Sequence, residues 1–326
     1  MRIENAIIKE ITLKSGLKSW VDIENEYYKL LTNDSSLKQS GNISPLNQQF
    51  EVIRQLLIEY LKNINIEEGN IYSVVDQLNS GFNLRDFQEN WIKSYIDYWY
   101  GRLKDYQKND YSIEILRKGI PKETLEIIDT LHGDFSKKNI KNLLLSLEAS
   151  RYKLLDLIPK ETLILDFNYT STFRRYFELL KSPNIELIFI HGEINNIINN
   201  PIILGFGDEL DDKYSLLGKT GNNEFLENVK SINYSKTDNY KKFLEFVNSD
   251  KFQVYIIGHS CGLSDRTLLN TIFEHDNCKS IKPYYYLRND LTDNYSDIVR
   301  NISRCFKDKA RMRDVVVNKT YCEPIT

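Results

Sequence analysis

Three short polar segments each follow a run of apolar residues, and they carry the side chains best suited to chemistry. They are Asp166 to Thr170 (DFNYT), Ile190 to Glu193 (IHGE) and Gly258 to Asp265 (GHSCGLSD). If the apolar runs are parallel strands, their carboxyl ends share one edge of a sheet, which is where ligands bind in α/β folds. We therefore expect the three segments to border one crevice.

Asn168 and His191 indicate general acid–base chemistry at this crevice. An imidazole titrates near neutral pH and can act as a general base, and a fixed amide can orient a water molecule or a ribose hydroxyl. Together these groups suit cleavage of an N-glycosidic bond. Each also has an ordinary structural interpretation, because a histidine at a strand end is commonly hydrogen-bonded and an asparagine often closes a turn.

The third segment has three interpretations. As a phosphate or ribose cradle, it offers the close backbone approach of Gly258, the hydroxyl of Ser260 and free amides near Ser264. As a nucleophile elbow, it matches G-x-S-x-G with Ser260 as nucleophile. A serine hydrolase is less favoured, because the only later histidine is His275, on the helix that leads away from Ser260. As a simple turn, its glycines shape the loop and Ser264 caps the helix.

Histidine and cysteine pairs in the same region raise the question of a zinc site. If 264–276 is helical, a rise of about 1.5 Å per residue separates the pair His259 and Cys261 from His275 and Cys278 by roughly 15 to 20 Å. One tetrahedral zinc ion binds its ligands at about 2.0 to 2.3 Å. We therefore predict no metal site, and cysteines that are buried as small hydrophobic residues.

A fourth segment, Gly205 to Asp212 (GFGDELDD), is a predicted strand end followed by an acidic loop. Its carboxylates, Asp208 among them, could bind hydroxyl groups or a divalent cation. The favoured interpretation is an exposed acidic turn, because no second set of ligands accompanies it.

Helices must make up most of the first half, since its apolar residues recur three and four positions apart. The predicted helices are 20–31, 44–64, 87–99 and about 137–157. Ser19 and Asp22 form a capping box for the first. Ser44 is a predicted cap for the second, with Pro45 at its first helical position.

After Pro159, short β-rich runs alternate with helical segments. The predicted strands are 162–167, 186–190, 202–204, 252–257 and 281–287. Nearly continuous apolar strands are typical of a sheet covered on both faces. We predict an α/β, Rossmann-like fold with a largely parallel sheet. The predicted division is a helical region or insertion at 1–160 and a nucleotide-binding-like domain at 161–326.

Composition excludes several classes of protein. The 326 residues include 46 acidic and 43 basic side chains, with a net charge of −3, which gives no field for bulk nucleic-acid binding. The apolar runs are too short for a membrane helix. The four cysteines fall in the last fifth without a Cys-x-x-Cys pair, which predicts a reducing cytoplasm.

With these motifs assembled, the chain resembles the AbiH family of bacterial phage abortive-infection proteins. The resemblance runs from Trp20–Glu24 to the carboxyl end. Its specific parts are Phe167–Thr170, His191–Gly192, Ile203–Glu209 and Gly258–Asp265. The order Asn, His-Gly, Gly-x-Ser is also similar to sirtuin-like NAD-consuming domains, which implies a sirtuin-like fold.

The resemblance implies antiviral defense with NAD as the ligand. By analogy Asn168 positions ribose or water, His191 is the base, and Ser260 holds adenosine ribose or phosphate. The further binding residues that it implies are Thr170, Gly192, Asp208, Gly258, His259 and Asp265. The alternative is a non-catalytic module that senses a nucleotide or a phage component and signals through the helical half. Either function is compatible with a homo-oligomer.

One departure from the family pattern concerns the amino-terminal side. Such proteins open with a strand and a Gly-rich turn of the kind Gly-Asn-Gly-Phe-Asp, which cradles the dinucleotide phosphates. No such turn precedes Trp20. We expect either a gene start that lies upstream of Met1 or a variant that has lost this loop.

Overall fold

The protein is described by a computed structural model that covers 5, 7–8, 20–33, 42–64, 72–79, 86, 136–142, 159–177, 179–180, 184–288 and 292–325. Among the described residues, three helices precede the first strand: α1 (Trp20–Leu31), α2 (Ser44–Lys62) and α3 (Tyr72–Asn79), with a shorter helical turn at 137–142. The first two predicted helices are thereby confirmed. The predicted helix at 87–99, most of the one at 137–157, and Ser19 lie outside the described residues.

The start of α2 differs from the expected cap. Ile43 occupies the N-cap position and makes no side-chain capping bond, so the prediction that Ser44 caps the helix is wrong. Asn42 takes over part of that role, because its Oδ1 accepts a hydrogen bond from the Ser44 amide at 3.2 Å. Pro45 lies in the first turn, where a missing N–H costs nothing.

Strands and helices alternate in the second half of the chain. The strands are β1 (Thr162–Asp166), β2 (Ile185–Phe189), β3 (Phe252–Ile256), β4 (Cys278–Pro283), β5 (Tyr285–Tyr286) and β6 (Pro324–Ile325). The helices are α4 (Arg174–Phe177), α5 (Tyr214–Lys219), α6 (Lys230–Asn233), α7 (Asn239–Ser249), α8 (Arg266–Phe273), α9 (Tyr295–Cys305) and α10 (Lys309–Val315).

The three strand pairs that the described residues form are all parallel. β1 pairs with β2, β3 with β4, and β5 with β6, and no strand of one pair bonds to another pair within the described ranges. The prediction of a mixed α/β protein with parallel strands is confirmed. A single Rossmann-like or sirtuin-like sheet remains a prediction.

The predicted strand at 202–204 is absent, although its residues are buried. The amide of Ile203 donates to the carbonyl of His191 at 2.8 Å, and Glu193 donates to Asn200 at 3.1 Å. The backbone of this segment therefore bonds to the turn after β2, and the segment is not part of any β-sheet among the described residues. The segment was predicted as a strand because its residues are apolar. An apolar run indicates that residues are buried, but it does not indicate which groups their backbone bonds to.

Two hydrophobic cores hold these elements together. The first lies between the strands and helices α7, α8 and α9, and its members include Ile188, Val247, Ile256, Leu268, Ile281 and Ile302. The second joins α1 and α2 to the second half, and its members include Tyr27, Leu31, Phe50, Leu57, Phe206 and Phe225. The division at residue 160 remains a prediction, and the second core draws on both sides of it.

Candidate functional site

The carboxyl ends of β1, β2 and β3 meet around the ring of Phe167. The centroid of that ring lies 5.1 Å from the imidazole of His191, which follows β2, and 4.2 Å from that of His259, which follows β3. Each strand ends as its apolar run ends, so the next polar residues fall together at the strand ends. The three segments singled out in the sequence therefore do lie together.

Asp265 is the centre of this meeting point. Its Oδ1 lies 2.7 Å from Nζ of Lys230 and 3.3 Å from Nε2 of His191, and its Oδ2 lies 3.5 Å from Nε2 of His259. The Asp265 side chain is 7% exposed. We refer to Glu24, Lys230, Asp265, His191 and His259 as the Asp265 cluster.

The hydrogen bonds of the two imidazoles define their proton positions. Nδ1 of His259 accepts from the amide of Cys261 at 3.0 Å, so Nε2 carries the proton and points it at Asp265. Nε2 of His191 lies between Asp265 and the hydroxyl of Tyr234, 3.2 Å away. The described residues supply no hydrogen bond to Nδ1 of His191. An ionised Asp265 that accepts the Nε2 proton leaves this Nδ1 with a lone pair.

Lys230 and Glu24 complete the cluster, and sequence reasoning missed both. Nζ of Lys230 lies 3.0 Å from the carboxylate of Glu24, and this carboxylate also accepts from the amide of Gly205 at 3.0 Å. The side chain of Lys230 is 2% exposed and that of Glu24 is 5% exposed. The two residues are 206 positions apart, so their spacing carried no signal of the contact.

The opposite charges of Asp265 and Lys230 stabilise each other in their ionised forms. Burial by itself would raise the pKa of Asp265, but Lys230 and the hydrogen bonds from the two imidazoles hold this pKa well below its usual value. Burial lowers the pKa of Lys230, yet its two carboxylate neighbours outweigh burial and raise it. Both groups are therefore ionised at neutral pH.

Asn168 lies beside the cluster and bonds to another residue. Its backbone amide and its Nδ2 both donate to Oδ1 of Asp166, at 2.8 and 2.9 Å, and its side chain is exposed. Burial raises the pKa of Asp166, against the effect of these hydrogen bonds. The side-chain amide of Asn168 is therefore held in place, as a positioning group needs to be. It is held by a local turn with Asp166 and not by a contact to the Asp265 cluster. Thr170 likewise bonds locally, with its hydroxyl 2.9 Å from that of Thr172.

Asp208 is a buried ion-pair partner. Arg266 contacts both of its carboxylate oxygens through Nη1, at 3.2 and 3.3 Å. Burial raises the pKa of Asp208, and the nearby Arg266 opposes that rise. The predicted exposed acidic turn is thus wrong for this residue, whereas Glu209 and Asp212 in the same loop are exposed.

The glycines and serines of the strand ends have different roles. Gly192 has φ +93°, and a Cβ on it would lie 2.2 Å from the carbonyl oxygen of Pro201, so only glycine fits. Gly258 has φ +69° and open space around it. Ser260 is exposed, and its carbonyl accepts from Nδ2 of Asn301 at 2.7 Å.

Ser264 does not cap the helix that follows it, so that prediction is wrong. It lies inside a 3-10 turn, Leu263–Asp265, that leads into α8. Its side chain is buried, and the part of the chain that the structure describes offers its hydroxyl no hydrogen-bond partner. The reason is that Gly262 occupies the N-cap position of the turn and Asp265 that of α8, so Ser264 lies between the two cap positions.

The geometry of the described residues does not favour a serine hydrolase or a zinc site. Ser260 has no hydrogen bond to a histidine in the described part of the chain, and His275 instead faces Oδ1 of Asn248 at 3.3 Å. Among the described residues, no group of three or more His, Cys, Asp or Glu side chains could hold a metal ion. All four cysteines are buried thiols outside any disulfide, which confirms their prediction as small buried side chains.

These features define a mixed α/β protein with parallel strand pairs and a buried ion cluster at the strand ends. The sequence model of the family described as bacteriophage abortive infection AbiH matches residues 2–287, so the chain belongs to that family. The resemblance read from the motifs is confirmed, and family membership implies antiphage abortive infection. No curated protein and no solved structure matches the chain in such comparisons. None of the described helices is long and apolar enough to cross a membrane.

Proposed function

We propose that this antiphage protein binds NAD at the ends of β1, β2 and β3 in the cytoplasm and hydrolyses its nicotinamide N-glycosidic bond. The observation that carries the proposal is the contact between Nε2 of His191 and Asp265 at 3.3 Å. A carboxylate on one ring nitrogen fixes the imidazole tautomer and makes the other nitrogen the proton acceptor. His191 therefore has the arrangement of a general base.

The reaction needs few groups from the protein. Nδ1 of His191 takes a proton from water as the water oxygen forms a bond to the ribose carbon C1′. The bond from C1′ to the nicotinamide nitrogen breaks, and its electron pair neutralises the positive charge of the pyridinium ring. The products are nicotinamide, ADP-ribose and one proton on His191, which Asp265 stabilises as an imidazolium. Positioned general bases contribute typically about 10² to 10⁴ to a rate.

Unsatisfied donors at the same strand ends support ligand binding there. The hydroxyl of Ser264 and Nε of Arg266 are buried and find no hydrogen-bond partner among the described residues. Buried polar atoms without partners are uncommon in native proteins, and an absent ligand is one physical explanation. Both atoms belong to residues that flank Asp265.

The charges at the site favour recognition of the ribose over recognition of the phosphates. Arg266 is paired with Asp208, and Lys230 with Glu24 and Asp265. These cations are already neutralised and offer little to a pyrophosphate. Hydroxyl groups of ribose can instead donate to carboxylates and accept from Ser264.

A second candidate is a binding module without catalysis, which senses a nucleotide or a phage component. It is favoured by the burial of His191, whose side chain is only 4% exposed, and by the bond that ties Asn168 to Asp166. A base must reach water and substrate, whereas a buried structural histidine need not. In this case the same strand ends bind the ligand, and no bond is broken.

Nicotinamide release from NAD, followed by chromatography, tests the catalytic proposal. We expect the wild-type protein and the His275→Ala variant to release nicotinamide, since His275 lies away from the Asp265 cluster. We expect His191→Ala to lose at least about 100-fold, the lower end of a general-base contribution. Calorimetric titration with NAD on the same samples identifies the binding module, which binds without turnover. Equal rates for His191→Ala and His275→Ala would refute the assignment of the base.

Phage plating connects the chemistry to defence. Cells that carry the wild-type gene or His275→Ala should restrict phage, and cells that carry His191→Ala should not. Intact protection by His191→Ala would mean that hydrolysis through His191 is not the basis of the antiphage activity.

A further inference from the structure

Lys230 is a buried cation that links the amino-terminal helix α1 to the strand-end site. Its ammonium group contacts Glu24 of α1 at 3.0 Å and Asp265 at 2.7 Å. Glu24 also accepts from the amide of Gly205, so it holds the loop after residue 204 as well. The two carboxylate partners of Lys230 are thus supplied by α1 and by the 3-10 turn before α8.

The charged neighbours of His191 belong to several elements. Asp265 contacts Nε2 of His191. The buried Lys230 contacts Asp265, and Glu24 in turn contacts Lys230. Asp166 at the end of β1 is close enough for His191 to affect its pKa. His259 shares Asp265, and the hydroxyls of Tyr234 and Tyr169 stay neutral, because burial raises the pKa of both well above 10. Glu193 follows in the chain and is paired with Arg174.

With both imidazoles neutral, the Asp265 cluster carries one net negative charge. Without Lys230 it would carry two, in a region where the side chains of Glu24, Asp265 and Lys230 are at most 7% exposed. Buried charges of one sign are costly, and the cheapest relief is uptake of a proton. His191 is the nearest group that becomes positively charged when it takes up a proton. That positive charge would offset the two carboxylates.

We propose that Lys230, held by Glu24, is a positioning residue that keeps His191 neutral and so keeps Nδ1 available as a base. This role rests on the proposed function only where it concerns catalysis. The protonation state of His191 is a property of the free protein and can be measured whether or not NAD is a substrate.

The test uses four proteins in full-length form. They are the wild type, Lys230→Met, the double variant Glu24→Gln with Lys230→Met, and Lys242→Met. Lys242 is an exposed lysine of α7 that pairs with Asp238, so it controls for the loss of a lysine. The double variant restores one net negative charge without restoring the lysine.

Nitrogen-15 NMR of the histidine rings at neutral pH supplies the readout. A neutral ring has one protonated and one bare nitrogen with very different shifts, and an imidazolium has two similar ones. We expect neutral His191 in the wild type, in the double variant and in Lys242→Met, and an imidazolium in Lys230→Met. Nicotinamide release by Lys230→Met should fall at least about 100-fold, as when the base is removed, and the double variant should recover most of it.

Each outcome decides the proposal. If Lys230→Met folds and His191 stays neutral, the proposal is wrong. If Lys230→Met and the double variant both fail to fold, Lys230 has a packing role and the proposal is also wrong. If only Lys230→Met fails to fold and the double variant is folded with a neutral His191, charge balance is supported. The expected NMR pattern without any NAD turnover would uphold the charge role and refute the proposed hydrolysis.

Discussion

Replacing Asp265 with asparagine tests the centre of the strand-end site. The substitution keeps the size and shape of the side chain and removes its charge. In the native protein this carboxylate lies 2.7 Å from Nζ of Lys230 and faces two imidazoles. Asp265→Asn therefore leaves a buried lysine with Glu24 as its remaining carboxylate partner.

The expected cost follows from burial. Hydrogen bonds to a charged group stabilise proteins by about 1.5 to 3 kcal/mol. Asp265→Asn weakens those that the carboxylate accepts from Lys230 and the two imidazoles, while Lys230 keeps Glu24 as its counterion. The side chains of Asp265 and Lys230 are 7% and 2% exposed, so water cannot take over the lost contact. We expect the free energy of unfolding to fall by about 1.5 to 3 kcal/mol at pH 7.5.

The pH dependence of this deficit has a definite sign. The pKa of Asp265 is held well below its usual value, so its ionisation stabilises the fold above the unfolded-state pKa of about 3.9. That stabilisation is lost as the pH falls through the folded-state pKa. The difference between wild type and Asp265→Asn should therefore begin to shrink below about pH 4, where the unfolded chain takes up the proton, and should vanish only when the folded carboxyl is protonated as well.

Urea unfolding followed by circular dichroism and tryptophan fluorescence provides the assay. Asp238→Asn is the matched control, because Asp238 is exposed and pairs with Lys242 on the surface. Its unfolding curve should superimpose on that of the wild type. An Asp265→Asn curve that also superimposes at pH 7.5, or a deficit that does not shrink in acid, would refute the assignment of an ionised, buried Asp265.

Three further predictions concern the framework of the site. Gly192→Ala should destabilise more than Gly221→Ala in thermal unfolding: both have positive φ, worth about 1 to 2 kcal/mol, but only at Gly192 would the Cβ overlap a carbonyl oxygen, at 2.2 Å. Asn47→Ala should cost about 2 to 4 kcal/mol in urea unfolding, because it removes three hydrogen bonds between helix α2 and its neighbours, whereas the exposed Asn63→Ala should have little effect. The thiol of Cys278 should react with a thiol reagent only after unfolding, because burial raises its pKa to about 12; rapid labelling of the native protein at this position would contradict its placement.

Much of the local structure could be predicted because it depends on near neighbours in the chain. Spacing of three and four placed α1 and α2, and apolar runs placed β1, β2 and β3 to within one or two residues. The segment 202–204 was wrongly predicted as a strand. Its apolar residues are buried, but its backbone bonds to the turn after β2, and an apolar run cannot tell these cases apart.

The site was predicted in part for the same reason. His191 and His259 follow strands, and parallel strands bring their ends together, so topology alone implied that these imidazoles are neighbours. The partner of Asn168 was not foreseen, because a side chain at a strand end can turn into the site or back to its own chain. It turns back, to Asp166.

The amino-acid sequence by itself determined the family, helices α1 and α2, strands β1 to β3, and which polar residues stand at the ends of those strands, because all of these depend on short patterns along the chain. Only the tertiary structure decided that Glu24 and Lys230 complete the cluster. They are 206 positions apart, and each looks like an ordinary surface charge in its own helix. Two opposite charges become partners when packing removes both from water at one place, and that is a property of the folded chain that no local pattern records.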